Sequence, residues 1–261
     1  MTHAVRGAFV VIAAVGLGTA TASVGCGSET FVSADAGIEA GKISDAGTVD
    51  VETPPSTDAG DADPCASALF CQSFEASTEP GDGFTFVSAT GLVEGAIKID
   101  WNTVFRGMRA LQINVPGPSA SVSAFVAREL QNVAGPVSLR FAYRFDTLPS
   151  ATLGVARLVY GSDQNSLSIE LSHDGTLLLK QGATVLTPAG PKLSPAVWAV
   201  VELVVDVAGK KATVRVASES HDITFKPLGA AGLSRLDVGP LEVPSNAATV
   251  NVHYDDVLLG R

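Results

Sequence analysis

The chain carries 261 residues, 27 of them acidic and 17 basic, for a formal net charge of −10 at pH 7. Hydrophobic residues make up 46% and aromatic ones 6%, enough for a packed core but thin for an aromatic-rich binding surface. Lys and Arg form no cluster, so nucleic acid, whose phosphates need one, is excluded as a partner. At the N-terminus His3 and Arg6 precede an apolar run, Ala8 to Val24, that includes Phe9, Val10, Val11, Ile12, Val15 and Leu17. A positive start, a short apolar stretch and small residues at its end make an export signal. The run is too short and too rich in Gly, Ala and Thr for a membrane span, which takes about 20 apolar residues.

Two cleavage readings stay open. Ala20, Thr21 and Ala22 form an A-x-A site for the ordinary signal peptidase, whereas Ser23, Val24, Gly25 and Cys26 resemble the lipobox of bacterial lipoproteins, with Ser23 where that pattern prefers Leu. The cysteine count favours the second. If Cys26 is the lipidated first residue of the mature chain, Cys65 and Cys71 remain as a pair that an oxidising compartment would close into a disulfide. No His or further Cys lies near them to complete a zinc site. Between Gly27 and Pro64 stand nine acidic residues (Glu29, Asp35, Glu39, Asp45, Asp50, Glu52, Asp58, Asp61, Asp63) and a single basic one, Lys42. Such a segment cannot bury enough apolar surface to offset its ordering entropy, so it reads as a disordered acidic tether. The expected layout is a signal peptide with lipobox over 1–25, a tether over 26–64 and a folded domain over 65–261. That places the protein at the outer membrane or cell surface, held to the membrane by an N-terminal lipid. Cleavage after Ala22 would leave it secreted or periplasmic instead.

From Cys65 onward the periodicity is that of strands. Val137, Leu139, Phe141, Tyr143 and Phe145 alternate with Ser138, Arg140, Ala142, Arg144 and Asp146; Leu167, Ile169 and Leu171 alternate with Ser166, Ser168, Glu170 and Ser172. Period two means one buried face and one wet face. Further strands are predicted over Phe84 to Val87, Leu92 to Ile99, Arg109 to Val115, Val122 to Leu130, Leu153 to Tyr160 and Thr176 to Lys180. Four more follow over Val197 to Val207, Ala212 to Ala217, Asp222 to Phe225 and Thr249 to Leu259. Asp174 and Gly175 form a strong hairpin signal, Gln181 and Gly182 a second turn, and Gly209, Lys210 and Lys211 a third. About a dozen short antiparallel strands imply an all-β, two-sheet sandwich of jelly-roll type. In the last strand Val250, Val252 and Tyr254 keep one phase while Val257 and Leu259 keep the other, which predicts a β-bulge at Asp255 or Asp256.

Trp198, Val200, Glu202, Leu203, Val205 and Asp206, a Gly/Lys turn, then Ala212, Val214 and Val216 resemble the packing pattern of concanavalin A-like (laminin-G-like) jelly rolls. Asp174, Gly175, Leu177 and Leu179 match the preceding hairpin of that fold, and Phe70 to Glu75 and Tyr254 to Gly260 are similar to its first and last strands in bacterial surface lipoproteins. The resemblance implies the fold, a structural calcium ion held by Glu75 with Asp255 or Asp256, and polysaccharide as a partner. It implies function only loosely, because its motifs are packing motifs. Retaining glycosidases on this fold place two carboxylates about 5 Å apart in an ExDxE-type pattern, which is absent from the chain. Glu202 and Asp206 share a face but lie about 13 Å apart on an extended strand. A lyase base would have to come from His173, His221, His253, Tyr143, Tyr160 or Tyr254, and no G-x-S-x-G motif points to a serine hydrolase. The expectation is a monomeric carbohydrate-binding module, with a polysaccharide-cleaving enzyme on the same fold, or a structural or adhesive envelope protein without a small-molecule site, as the alternatives. Its polar face would carry Arg140, Arg144, Ser168, Glu170 and Ser172, with Trp101 either a stacking platform for sugar or a plug beneath its loop.

Overall fold

Strands that alternate apolar and polar side chains must cover one face each, and this chain does so by stacking two antiparallel sheets. The computed structural model describes residues 65–92, 95–117, 120–187, 190–229, 232–245 and 247–261; the leader, Cys26 and the acidic tether lie outside them. Among the described residues there are fifteen strands and no helix.

The first sheet contains β1 (Phe70–Gln72), β3 (Ile97–Asp100), β4 (Ala110–Val115), β6 (Val137–Phe145), β11 (Ala199–Asp206), β12 (Lys211–Val216), β13 (Glu219–Thr224) and β15 (Val250–Gly260). Its order is β13-β12-β11-β6-β15-β4-β3, and β1 also pairs with β15. The second sheet contains β2 (Phe86–Thr90), β5 (Ser123–Val133), β7 (Leu153–Tyr160), β8 (Ser162–Leu171), β9 (Leu177–Gln181), β10 (Thr184–Val185) and β14 (Leu233–Val238), in the order β10-β9-β8-β7-β14-β5-β2. The chain thus passes repeatedly between the sheets, as in a jelly roll, with β7 to β10 and β11 to β13 as runs within a single sheet.

The core is the inward face of both sheets: Leu139, Phe141 and Tyr143 of β6 against Leu158 of β7, Ile169 of β8 and Leu236 of β14, all at most 1% exposed. Each such side chain contributes about 1.5–3 kcal/mol by leaving water. Tyr254 Oη of β15 donates to the Val155 carbonyl of β7 at 3.0 Å, which satisfies a buried hydroxyl and ties one sheet to the other.

Local chemistry sets the turns. The predicted Asp174–Gly175 turn joins β8 to β9: Asp174 accepts from the Thr176 amide, and Gly175 takes a φ of +87° where a Cβ would lie 2.5 Å from the Leu193 carbonyl oxygen. Between β11 and β12 Asp206 accepts from the Gly209 amide at 2.9 Å. The predicted bulge in β15 is present: its register against β6 shifts between Asp255 and Leu258, and Asp256 has a φ of +48°. Cys65 and Cys71 form a disulfide with Cα atoms 5.4 Å apart, closing the loop that enters β1.

A central strand has no counterpart in the sequence pattern. β14 sits centrally in the second sheet between β7 and β5, yet its register shifts between Leu233 and Arg235, which breaks the alternation of Leu233, Leu236 and Val238.

Candidate functional site

The outer faces of the two sheets differ, and the difference selects the candidate site. On the first sheet the loop 101–109, between β3 and β4, lies over part of the outer face, at Asp255 of β15 and at Trp198. Three carboxylates from separate elements hold that loop by its backbone. Asp100 accepts from the amides of Trp101, Asn102 and Thr103; Asp255, at the bulge, accepts from Phe105 and Arg106 at 3.2 Å each; Glu75 accepts from Met108 and Arg109. Burial pushes the Asp255 carboxyl up to about 6, against the amides of Arg106, Asp256 and Phe105 that favour its charge. Burial also works against the Asp100 charge, but there its three amide bonds and nearby His253 prevail and hold the carboxyl below its ordinary value.

Under this loop Trp198 packs edge-on to His253 and against Phe105, with ring centroids 6.2 and 5.7 Å away. His253 is 1% exposed, with Nδ1 3.5 Å from Asp100 and Nε2 3.8 Å from Asp146. Burial lowers its pKa, against the two carboxylates.

Glu75, Asp255 and Asp256, expected to share a calcium ion, are therefore turned to other partners: the first two to backbone amides, Asp256 to Arg106 at 3.9 Å. Among the described residues no three His, Cys, Asp or Glu side chains cluster as metal ligands. Trp101 is no core plug. It is 57% exposed beside the β3 edge, with the Arg109 guanidinium 4.1 Å over its ring.

The residues expected to share one polar face are divided. Arg140 and Arg144 belong to β6 of the first sheet, where Arg144 pairs with Asp146 at 3.3 Å, while Ser168 and Glu170 belong to β8 of the second sheet and Ser172 follows it. Alternation within each strand is as expected; which sheet a strand joins depends on long-range pairing, which period-two patterns do not encode.

The outer face of the second sheet is open. Across β9, β8 and β7 it forms a groove of about 480 Å³ lined by Arg157, Ser168, Glu170 and Lys180 together with Asp163, Leu241 and Pro244. Arg157 ties the groove to an ion network on the neighbouring β14. Asp237 of β14, with no exposed surface, accepts from Arg157 Nε at 2.8 Å and Arg235 Nε at 2.7 Å. Asp163, 61% exposed, pairs with Arg235 and, at 3.7 Å, with Arg157. Burial disfavours the Arg235 charge, but Asp237 and Asp163 outweigh it and raise its pKa. Beside them Glu170 and Lys180 pair at 2.9 Å. Such a network presents charged hydrogen-bonding groups in fixed positions. No His, Tyr or Trp stands among the described lining residues. The sequence expectation included Glu170 but missed Arg157, Lys180, Arg235 and Asp237. Arg157 interrupts an apolar run on β7, and Arg235 and Asp237 lie on the unpredicted β14.

No family model matches the chain, and no curated protein matches it in sequence. Solved structures do match in fold. The "Cellulose induced protein, Cip1" superposes with a TM-score of 0.56 at 12% identity, over 73% of this chain and 96% of that one. A family 7 alginate lyase in complex with product gives 0.54 at 12% identity, over 70% and 99%. A botulinum neurotoxin type C structure, titled for its interaction with two ganglioside molecules, gives 0.51 at 13% identity, over 74% of this chain and 47% of that one. At such identities the likeness is one of fold. The domain is a β-sandwich jelly roll of the concanavalin A-like kind.

Proposed function

We propose that this is an exported, lipid-anchored cell-envelope protein whose β-sandwich binds carbohydrate through the groove of the second sheet. The observation that carries the binding reading is the groove lining: the Arg157 guanidinium, locked with Arg235 of the adjoining depression on the fully buried Asp237, and the Glu170–Lys180 pair alongside. Sugar hydroxyls both donate and accept, so a lining of paired cations and carboxylates offers them matching partners without reorganisation. The structures of like fold, a cellulose-induced protein, an alginate lyase with product and a neurotoxin that interacts with gangliosides, accord with a polysaccharide or glycan partner. We assign binding rather than cleavage because Glu170 is engaged by Lys180 and the groove offers no His or Tyr as a lyase base among its described lining. Export and lipid attachment rest on the apolar leader and on Cys26.

A glycan array probed with the purified protein, with and without calcium, tests the binding reading. Binding that Arg157→Ala abolishes is expected; no signal on any glycan would overturn it. Mass spectrometry of the mature N-terminus tests the anchor: a diacylglycerol-modified Cys26 is expected, and an unmodified chain starting at Ser23 refutes it.

A further inference from the structure

The cross-strand register of the second sheet extends the groove beyond its deepest part. Lys180 pairs with Ser168, Ser168 with Arg157, Arg157 with Asp237, Asp237 with Ala127 and Ala127 with Phe86. Residues directly opposite one another in antiparallel strands project from the same face. These six therefore form one row across six strands, about 24 Å long at the usual strand spacing of about 4.8 Å.

The row does not end in charge. Phe86, on the edge strand β2, is 37% exposed, and its ring meets that of Phe125 edge-on with centroids 6.2 Å apart. Phe125 and Ala127 are two apart on β5 and share the outer face, while Ala124 and Val126 point into the core. A second depression of about 470 Å³ adjoins the first on this face. The two share Asp163, and the second reaches Arg235 of β14 and Glu129 of β5. Asp237 and Ala127 are themselves fully buried, so along the row the surface is offered by Lys180 and Arg157 on one side and by Phe86 on the other, where the aromatic pair supplies the ring the groove lacks.

Charge narrows the class of ligand. Arg157, Lys180 and Arg235 are the cations of the two depressions, and each already has a carboxylate partner. Against them stand Asp163, Glu170, Glu242 and Glu129 on the lining, besides the buried Asp237. With three cations against five carboxylates, a chain of uronates or sulfated sugars would meet net negative charge, whereas a neutral chain would not.

Resting on the carbohydrate reading above, we infer that the ligand is an extended, uncharged glycan chain lying across the strands of the second sheet, its far end stacked on Phe86. The test is calorimetric titration of the purified protein with neutral hexasaccharides (cellohexaose, xylohexaose, laminarihexaose), with the corresponding disaccharides and with an acidic hexamer, hexamannuronate. At least one neutral hexamer should bind about tenfold or more tighter than its own disaccharide. Phe86→Ala should remove about tenfold from the hexamer, the usual worth of one aromatic contact, and leave the disaccharide unchanged. Phe86→Tyr, which keeps the ring, should restore hexamer binding and so separates stacking from any loss of folding. A disaccharide that binds as tightly as its hexamer, or a hexamer indifferent to Phe86→Ala, overturns the extended-chain inference while leaving the groove reading in place. Preference for hexamannuronate overturns the neutral-chain assignment. Absence of binding by every oligomer and every glycan overturns the groove reading itself.

Discussion

Replacing Asp237 by Ala removes the anion beneath two guanidiniums. Asp237 has no exposed surface and takes Nε of both Arg157 and Arg235 within 2.8 Å, while the arginine side chains keep only 21% and 23% of their surface in water. Deleting one partner of a buried ion pair costs about 3–5 kcal/mol, because the remaining charge is left without compensation. Here Asp163 remains as a second partner for both arginines, so the lower end, about 3 kcal/mol, applies. In a domain of this size each kcal/mol moves the melting temperature by about 2–4 °C, which predicts a fall of about 6–12 °C for Asp237→Ala. Arg157→Ala leaves Asp237 on Arg235 and should cost less, about 1–2 kcal/mol. Thermal unfolding followed by circular dichroism compares the two. A melting temperature for Asp237→Ala that coincides with the wild type, or a larger fall for Arg157→Ala, would refute the view of Asp237 as the keystone of this ion network.

Acid behaviour divides between two groups under the 101–109 loop. The Asp255 carboxyl rises from the ordinary 3.8 to about 6, so between those values the folded state keeps a proton that the unfolded chain has released. Asp255 therefore subtracts stability as pH rises through that window, and Asp255→Asn should gain on the wild type by about 3 kcal/mol between about pH 4 and pH 7, read from urea midpoints. His253 acts in the opposite sense: its pKa is lowered from 6.5 by burial, so its contribution is complete above that value and is lost on acidification, a loss that His253→Gln should abolish. Reducing the Cys65–Cys71 disulfide, or replacing both residues by Ser, should cost about 2 kcal/mol for so short a loop and lower the melting temperature by about 4–8 °C without abolishing folding. Acrylamide should quench the fluorescence of Trp101, which is 57% exposed, more steeply than that of Trp198, compared in Trp198→Phe and Trp101→Phe variants.

What the sequence reveals of this molecule follows the range of each interaction. Alternation is local, so β6, β8 and β11 are readable, as is the bulge at Asp255–Asp256, where an extra residue inverts the phase of Val257 and Leu259. The Cys65–Cys71 pair is readable from cysteine arithmetic. Sheet membership is not local: Arg144 and Glu170 alternate equally well, yet β6 pairs with β11 and β15 while β8 pairs with β7 and β9, which puts the two residues on opposite outer faces. The ion network beside the groove is hidden for a related reason. Arg235 and Asp237 lie on a strand whose register shift spoils its own periodicity, and their meaning comes from Arg157, some 80 residues away in sequence, whose Nε and Nη2 close on Asp237. Glu75 and Asp255 were legible as special carboxylates, but the amides they hold belong to a loop with no periodic signal.

The central claim is that the second-sheet groove, and not the Trp101 and Arg144 side of the sandwich, is the ligand face. The most direct measurement compares glycan-array binding of the Arg157→Ala/Lys180→Ala protein with that of the Trp101→Ala/Arg144→Ala protein, both checked for folding. The account predicts loss of binding in the first and wild-type binding in the second; the reverse pattern would contradict it.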